Sequence, residues 1–400
     1  MTLDLARTRA RITELLAEYG IPSAAVGVLR DGERAEFAVG VRNVDTREPA
    51  TTDTVYQIGS MTKTWTALTF LQLVDEGRAD LDAPVRTYLP DFTVADPHTS
   101  AELTARHLLH HTNGIEETYG DPGEDDDVYQ RLVADLAGAR QVFPLGHTHG
   151  YSAAVGYAVL ARILEVLDGK PWDTVMRDRL FDPMGLTSTN TWHEQVDRTR
   201  AATGHLLRAP AEGPFVTPID HLPRAFGPGG NITSTIGEVL ALAQALLGGG
   251  LAPNGKRVVS AATLREMMNS HVPVPDPYLI GHEWALGLIM PDLPTPDPSL
   301  RLDPARYEGV YGGPDARYEI SAENGNLYLT MVLDPMRAEL LHRPDCLRYD
   351  LLPVTETHFL MPPTDPTEDT QTVAVYDFTD GHARYLHTNC RANPRLDAGS

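Results

Sequence analysis

The 400-residue chain has two cysteines, Cys346 and Cys390. That is too few for a disulfide framework, although one bridge stays open. It has no unbroken apolar run of the roughly 18 residues that a membrane-crossing helix needs. The start, MTLDLARTRARITELLAEYG, lacks a basic segment followed by an apolar stretch and so does not read as a signal peptide. Positive charge is also scarce: 33 basic residues against 55 acidic ones give a formal net charge of -22. Such a chain repels phosphate backbones and anionic headgroups, so neither nucleic acid nor a membrane is an expected partner. These absences predict a soluble cytoplasmic protein.

Apolar residues make up 42% of the chain, enough for a sizeable core. Leu5, Ile12, Leu15, Leu16 and Tyr19 share one helical face, and Gly20 can close that helix. Two β-rich runs flank Asp31-Gly32, a strong hairpin signal. Helices are expected over 60–76, 154–167, 234–247 and 260–270, and 103–115 reads as a short helix running into a turn. Residues 291–304, PDLPTPDPSLRLDP, hold five prolines in fourteen positions and read as a linker. Beyond it lie short alternating segments: RYEIS, LYLTMV, AELLH, RYDLL, THFLM, TVAVYDF and ARYLHT. Turn pairs such as Asn324-Gly325 and Asp380-Gly381 separate several of them. This pattern predicts a small all-β barrel. The expected fold class is therefore α+β: a domain over 1–290, a linker over 291–304 and a β-domain over 305–400.

The stretch YQIGSMTKTWTAL places Ser60 and Lys63 one helical turn apart. A serine hydroxyl is a poor nucleophile unless a base stands beside it and donors await the oxyanion. Cβ atoms at i and i+3 lie about 5–6 Å apart, a gap a lysine amine can span. A buried, neutral amine can take the proton. Alone, the tetrad is equally an N-capped helix with an exposed lysine, so its surroundings must decide.

Those surroundings resemble the serine β-lactamase and penicillin-binding-protein-like family, especially its class C β-lactamase, D-aminopeptidase and esterase branch. The likeness runs over about 5–290. VYQIGSMTKTWTALTFLQLVDEGRADLDAPVRTYLP looks like the family's nucleophile helix and the segment after it. LTARHLLHHTNGI is similar to the loop beyond that helix, and FPLGHTHGYSAAVGYAVLARILEVLDGKPW to the second-motif region. LFDPMGLTSTNT and GPGGNITST match further landmarks. The tail from Leu302 resembles a lipocalin-like domain appended to some members. The resemblance implies that Ser60 accepts the acyl group, Lys63 is its general base and Tyr151 shuttles protons. Ser152, Gly229, Gly230 and Asn231 would then line the substrate cleft.

Two departures qualify this. The second motif reads Tyr151-Ser152-Ala153, so alanine stands where the family carries an amide-orienting asparagine. The third motif, K-T-G or a histidine variant on a neighbouring strand, has no counterpart between WALGLIM and the proline linker. The nearest substitute is His387-Thr388-Asn389. Without that strand the sheet reduces to one visible hairpin with an open edge. Cover should come from the C-terminal β-domain, the favoured source, or from another chain, which would make the protein a homo-oligomer.

His107, His110, His111, His147 and His149 suggest a metal cluster, but no cysteine or carboxylate spacing supports one. No metal and no cofactor is expected. The sequence is thus identified as a serine hydrolase or acyltransferase that works through an acyl-Ser60 on a small ester, thioester or amide. The layout also resembles penicillin-binding-protein-type thioesterases, which makes biosynthetic acyl transfer a sub-case. The rival reading is a catalytically weakened relative kept as a binding or scaffold protein.

Overall fold

The computed structural model describes residues 5–117, 122–207, 213–219, 221–276, 281–290, 297, 299–313, 316–340, 344–362, 371–388 and 391–396. The first helix, Ala6–Glu18, precedes a hairpin of Ser23–Arg30 and Glu33–Gly40. The hairpin pairs in register from Ser23 with Gly40 to Arg30 with Glu33. Asp31 and Gly32 take positive φ of 51° and 80°, as its tight turn requires. The segment that carries Ser60 is a 3-10 turn, Gly59–Met61, that passes into the helix Thr62–Asp75.

That helix is buried nearly all round, with Thr62, Lys63, Thr66 and Thr69 included, because it runs through the middle of the large core. Trp65, Leu68, Phe70 and Leu71 are essentially fully buried. The helix Val155–Asp168 is buried with them through Tyr157, Leu160 and Leu164, and ends at Gly169 in the left-handed region. Ile236–Leu247 is capped by the Thr235 side chain, which accepts from Glu238 N–H.

Two helices take the hairpin's faces. A Cβ on Gly27 would lie 2.7 Å from Leu240 of the helix Ile236–Leu247, and the Arg9 guanidinium sits 4.8 Å from the Phe37 ring centre. The C-terminal β-domain does not provide the cover expected of it. Its described contacts fall instead on residues 142–150 and on Pro275, because its apolar seam matches that loop. Among the described residues the rest of this region's sheet structure is short. It includes three strands, Val272–Pro273, Glu283–Trp284 and Ile289–Met290, and no third-motif strand follows them.

The C-terminal region is an eight-stranded antiparallel meander from Gly309–Gly312 to Arg391–Pro394. Burial alternates along its strands, as in Ala316–Glu323 and Asn326–Leu333, with Tyr318, Ile320, Leu327 and Leu329 pointing inward. The ends nearly close into a barrel: Tyr311 bridges Arg395, and Leu396 N–H donates to Val310 O at 2.8 Å. One predicted strand is a helix. The first three residues of AELLH lie in the helix Pro335–Leu340, where Asp334 accepts from Met336 N–H and proline sits in the first turn, and its last two fall outside the described residues. Cys346 carries an exposed free thiol, while Cys390 and Asn389 lie outside the described residues, as do 291–296 and 298 of the proline linker.

Candidate active site

Ser60 is exposed at the mouth of a pocket of about 220 Å³ lined by Gln57, Gly59, Ser60, Ala153, Leu222, Phe226, Gly229 and Gly230. Lys63 is 2% exposed, and its Nζ stands 3.5 Å from Ser60 Oγ. The amine also donates to Ala153 O at 3.0 Å and Gly229 O at 2.9 Å. When the amine is neutral, two N–H bonds serve the carbonyls and the remaining lone pair faces the serine hydroxyl. Burial drives the Lys63 pKa down from 10.5 to about 7; the Glu117 charge opposes this and the Arg391 charge adds to it.

Backbone geometry builds the cradle for this amine. The segment Gly227–Asn231 is pinned to the nucleophile helix by Thr66 Oγ1 donating to Pro228 O and Ile232 N–H donating to Thr62 Oγ1. A Cβ on Gly229 would lie 2.5 Å from Ala153 O and 3.1 Å from Lys63 Nζ, so only glycine admits the amine there. Alanine at position 153 loses the family's carboxamide, yet its main-chain carbonyl still receives the lysine.

The loop bearing Tyr151 hangs on two groups that sequence reading missed in this role. His111, at φ 56°, accepts from Gly150 N–H through its carbonyl and from Ser152 N–H through Nδ1. Burial holds its imidazole well below its usual pKa, hence neutral, as an Nδ1 acceptor must be. Glu117 is buried too. It accepts from Ser152 Oγ at 2.5 Å and from Ala154 and Val155 N–H at the start of the helix Val155–Asp168. The only hint of Glu117 in the sequence is an acid just after the HTNGI turn.

Tyr151 meets Lys63 with its ring face, 4.7 Å from Nζ to the ring centre, and stacks 4.6 Å from His111. Gly229 and Gly230 line the Ser60 pocket as expected of substrate-cleft residues. Ser152 does not: its hydroxyl is buried on Glu117 and accepts from Gly156 N–H. The Asn231 amide is turned onto Leu222 O and Pro223 O, holding the neighbouring loop. The expected cleft set therefore divides: Gly229 and Gly230 line the serine pocket, Asn231 lines the hollow beside it while its amide holds the loop, and Ser152 alone is a support.

The barrel reaches this site. Phe143, Tyr385 and Ala392 form a small apolar seam, and a Cβ on Gly150 would lie 3.6 Å from Ala392 Cβ. His387, fully buried, stands 6.0 Å from the His149 ring, and burial lowers its pKa to about 3. His149 packs in turn on Trp284 at 5.4 Å. The histidines that suggested a metal cluster are thus packing and loop-holding groups.

The Beta-lactamase family matches residues 8–311. Penicillin-binding protein 4 of Amycolatopsis lactamdurans is 39% identical over 293 residues, covering 72% of this chain and 76% of that one. Esterase EstB of Burkholderia gladioli is 31% identical over 207 residues, covering 46% of this chain and 52% of its own. A solved structure of SurE superposes with a TM-score of 0.74 at 23% identity, over 98% of this chain and 100% of that one. Its fold therefore extends through the barrel as well. With its buried amine behind an exposed serine, the chain belongs to the Beta-lactamase family, whose members matched here include serine hydrolases.

Proposed function

We propose that the protein is a serine hydrolase or acyltransferase that carries an acyl group on Ser60. The observation that supports this best is the dry, carbonyl-held Lys63 amine with a pKa of about 7, one helical turn from an exposed hydroxyl. Neutral Lys63 takes the Ser60 proton as Oγ bonds to the substrate carbonyl carbon and the carbonyl electron pair moves to oxygen. The tetrahedral species then collapses, and the leaving group departs with the proton from Lys63. Water or an amine next attacks the acyl-Ser60 ester while Lys63 accepts its proton, and Ser60 Oγ is released and reprotonated. The 3.5 Å between Nζ and Oγ would shorten as substrate binds.

In this reading the substrate is a small ester, thioester or amide, the place of action is the cytoplasm, and Tyr151 steadies the amine through its ring. A lipocalin-like role for the barrel, and a second copy of the chain on the hairpin edge, belong to the same reading. Light scattering of the purified protein tests the latter. The central experiment is fluorophosphonate labelling with peptide mass spectrometry: Ser60 should be modified, and Ser60→Ala should abolish it. A folded protein that takes no label overturns the reading in favour of a binding or scaffold role.

A further inference from the structure

A second hollow, of about 370 Å³, adjoins the serine pocket, with Gln57 and Leu222 lining both. It is within the size range of small-molecule sites. One wall is aromatic: Trp192 meets His193 edge-on at 4.2 Å, and His193 stacks on His221 at 3.7 Å with an interplanar angle of 11°. Ile219 and Leu222, 48% and 40% exposed, give the rim an apolar surface. Although the chain carries a net charge of -22, no carboxylate stands among the described lining residues, whereas Arg198 and His205 do. Gly230 has no side chain to partition the two hollows. A Cβ built there would meet only Leu222, at 4.0 Å.

The geometry points to this cleft as a specificity subsite that takes an aromatic or bulky apolar, non-cationic side chain of the substrate whose carbonyl is presented to Ser60. An aromatic ring gains from stacking on Trp192 and the imidazole pair. A cationic chain meets the guanidinium of Arg198 in the lining and is repelled. The inference rests on the acyl-Ser60 reading and names the substrate class for it.

The test compares N-acetylcysteamine thioesters of acetate, 4-phenylbutanoate and 4-aminobutanoate, followed by thiol release. Wild-type protein should favour phenylbutanoyl over acetyl at least tenfold in kcat/KM and disfavour the ammonium analogue. Trp192→Ala and His221→Ala should each reduce the phenylbutanoyl-to-acetyl ratio about tenfold. Two variants guard against one failing to fold. Ser60-dependent turnover with a flat ratio, or a ratio unmoved in both variants, overturns the subsite and leaves the acyl-Ser60 reading intact. If no thioester is turned over, binding decides. Quenching of Ser60→Ala fluorescence by 4-phenylbutyrate, lost on adding Trp192→Phe, supports the cleft, and absence of quenching overturns it.

Discussion

The helical region and the barrel each bury a core of their own, and they meet through a narrow seam. The first core is built around Trp65, Tyr157 and Trp172, the second around Tyr307, Tyr311 and Phe359. The seam between them joins the apolar trio Phe143, Tyr385 and Ala392 to the contacts of His149 with His387, His147 with Asp377 and His358 with Pro275 O. Neither region needs the other to remove its apolar residues from water. What the contact does instead is wall the loop that holds Tyr151 and set Arg391 within electrostatic range of Lys63. One region supplies the chemistry, and the other sets conditions around it.

Lys63→Met tests the first half of this division. It should lower kcat/KM by about 10³-fold or more, since general-base catalysis contributes roughly 10²–10⁴. It should not destabilise the fold. The folded pKa of about 7 lies below that of the unfolded lysine, so between about pH 7 and 10.5 the unfolded chain binds more protons and wild-type stability rises with pH. The variant's Tm should therefore match or exceed the wild type at pH 7, with the gap closing towards pH 10 in calorimetry. An activity loss explained by unfolding would break the comparison.

Ala392→Arg tests the second half. A wedge at the seam should cost about 10–100-fold in activity while circular dichroism retains both the helical and the β signals. If the helical core melts with it, the two regions are not independent.

Two charge changes sharpen the picture. Wild-type kcat/KM should rise with pH through about 7 and then level, because Lys63 must be neutral to accept a proton. Arg391→Gln removes a repelling charge and should move that inflection up; Glu117→Gln removes an attracting one and should move it down. Each shift should be a few tenths of a unit to about one. Equal or absent shifts would mean the barrel does not tune the amine.

The smallest effect is expected at His147, whose exposed contact with Asp377 spans the same two regions at 3.2 Å. His147→Ala should change Tm by the equivalent of no more than about 0.5 kcal/mol and leave turnover within about twofold.

Legibility followed the same division. The Ser60–Lys63 spacing, the hairpin at Asp31-Gly32 and the barrel's alternating strands are local patterns, and the folded chain contains them. The helix at Pro335–Leu340 was missed because AELLH alternates well enough to pass for a strand, and its start signal, Asp334-Pro335, lies outside that segment. Ser152 and Asn231 were legible as members of a motif but not in orientation. Their side chains point where partners outside the motif hold them: Glu117, far off in sequence, for Ser152, and the loop carbonyls of Leu222 and Pro223 for Asn231. His111 and Arg391 act through contacts 40 or more residues away, which no local spacing encodes.

The strand Arg391–Pro394 closes the barrel on one side, through the bonds just beyond it, and lies against Gly150 on the other. A four-residue strand held by few bonds on its closing side opens at less cost than the longer strands inside the sheet. When its end peels from Val310, the same movement draws Ala392 off the tyrosine loop and Arg391 away from the amine. Heat should thus switch the reaction off several degrees before either core melts, and fastening this strand to Val310 would raise the working temperature without any change inside the pocket.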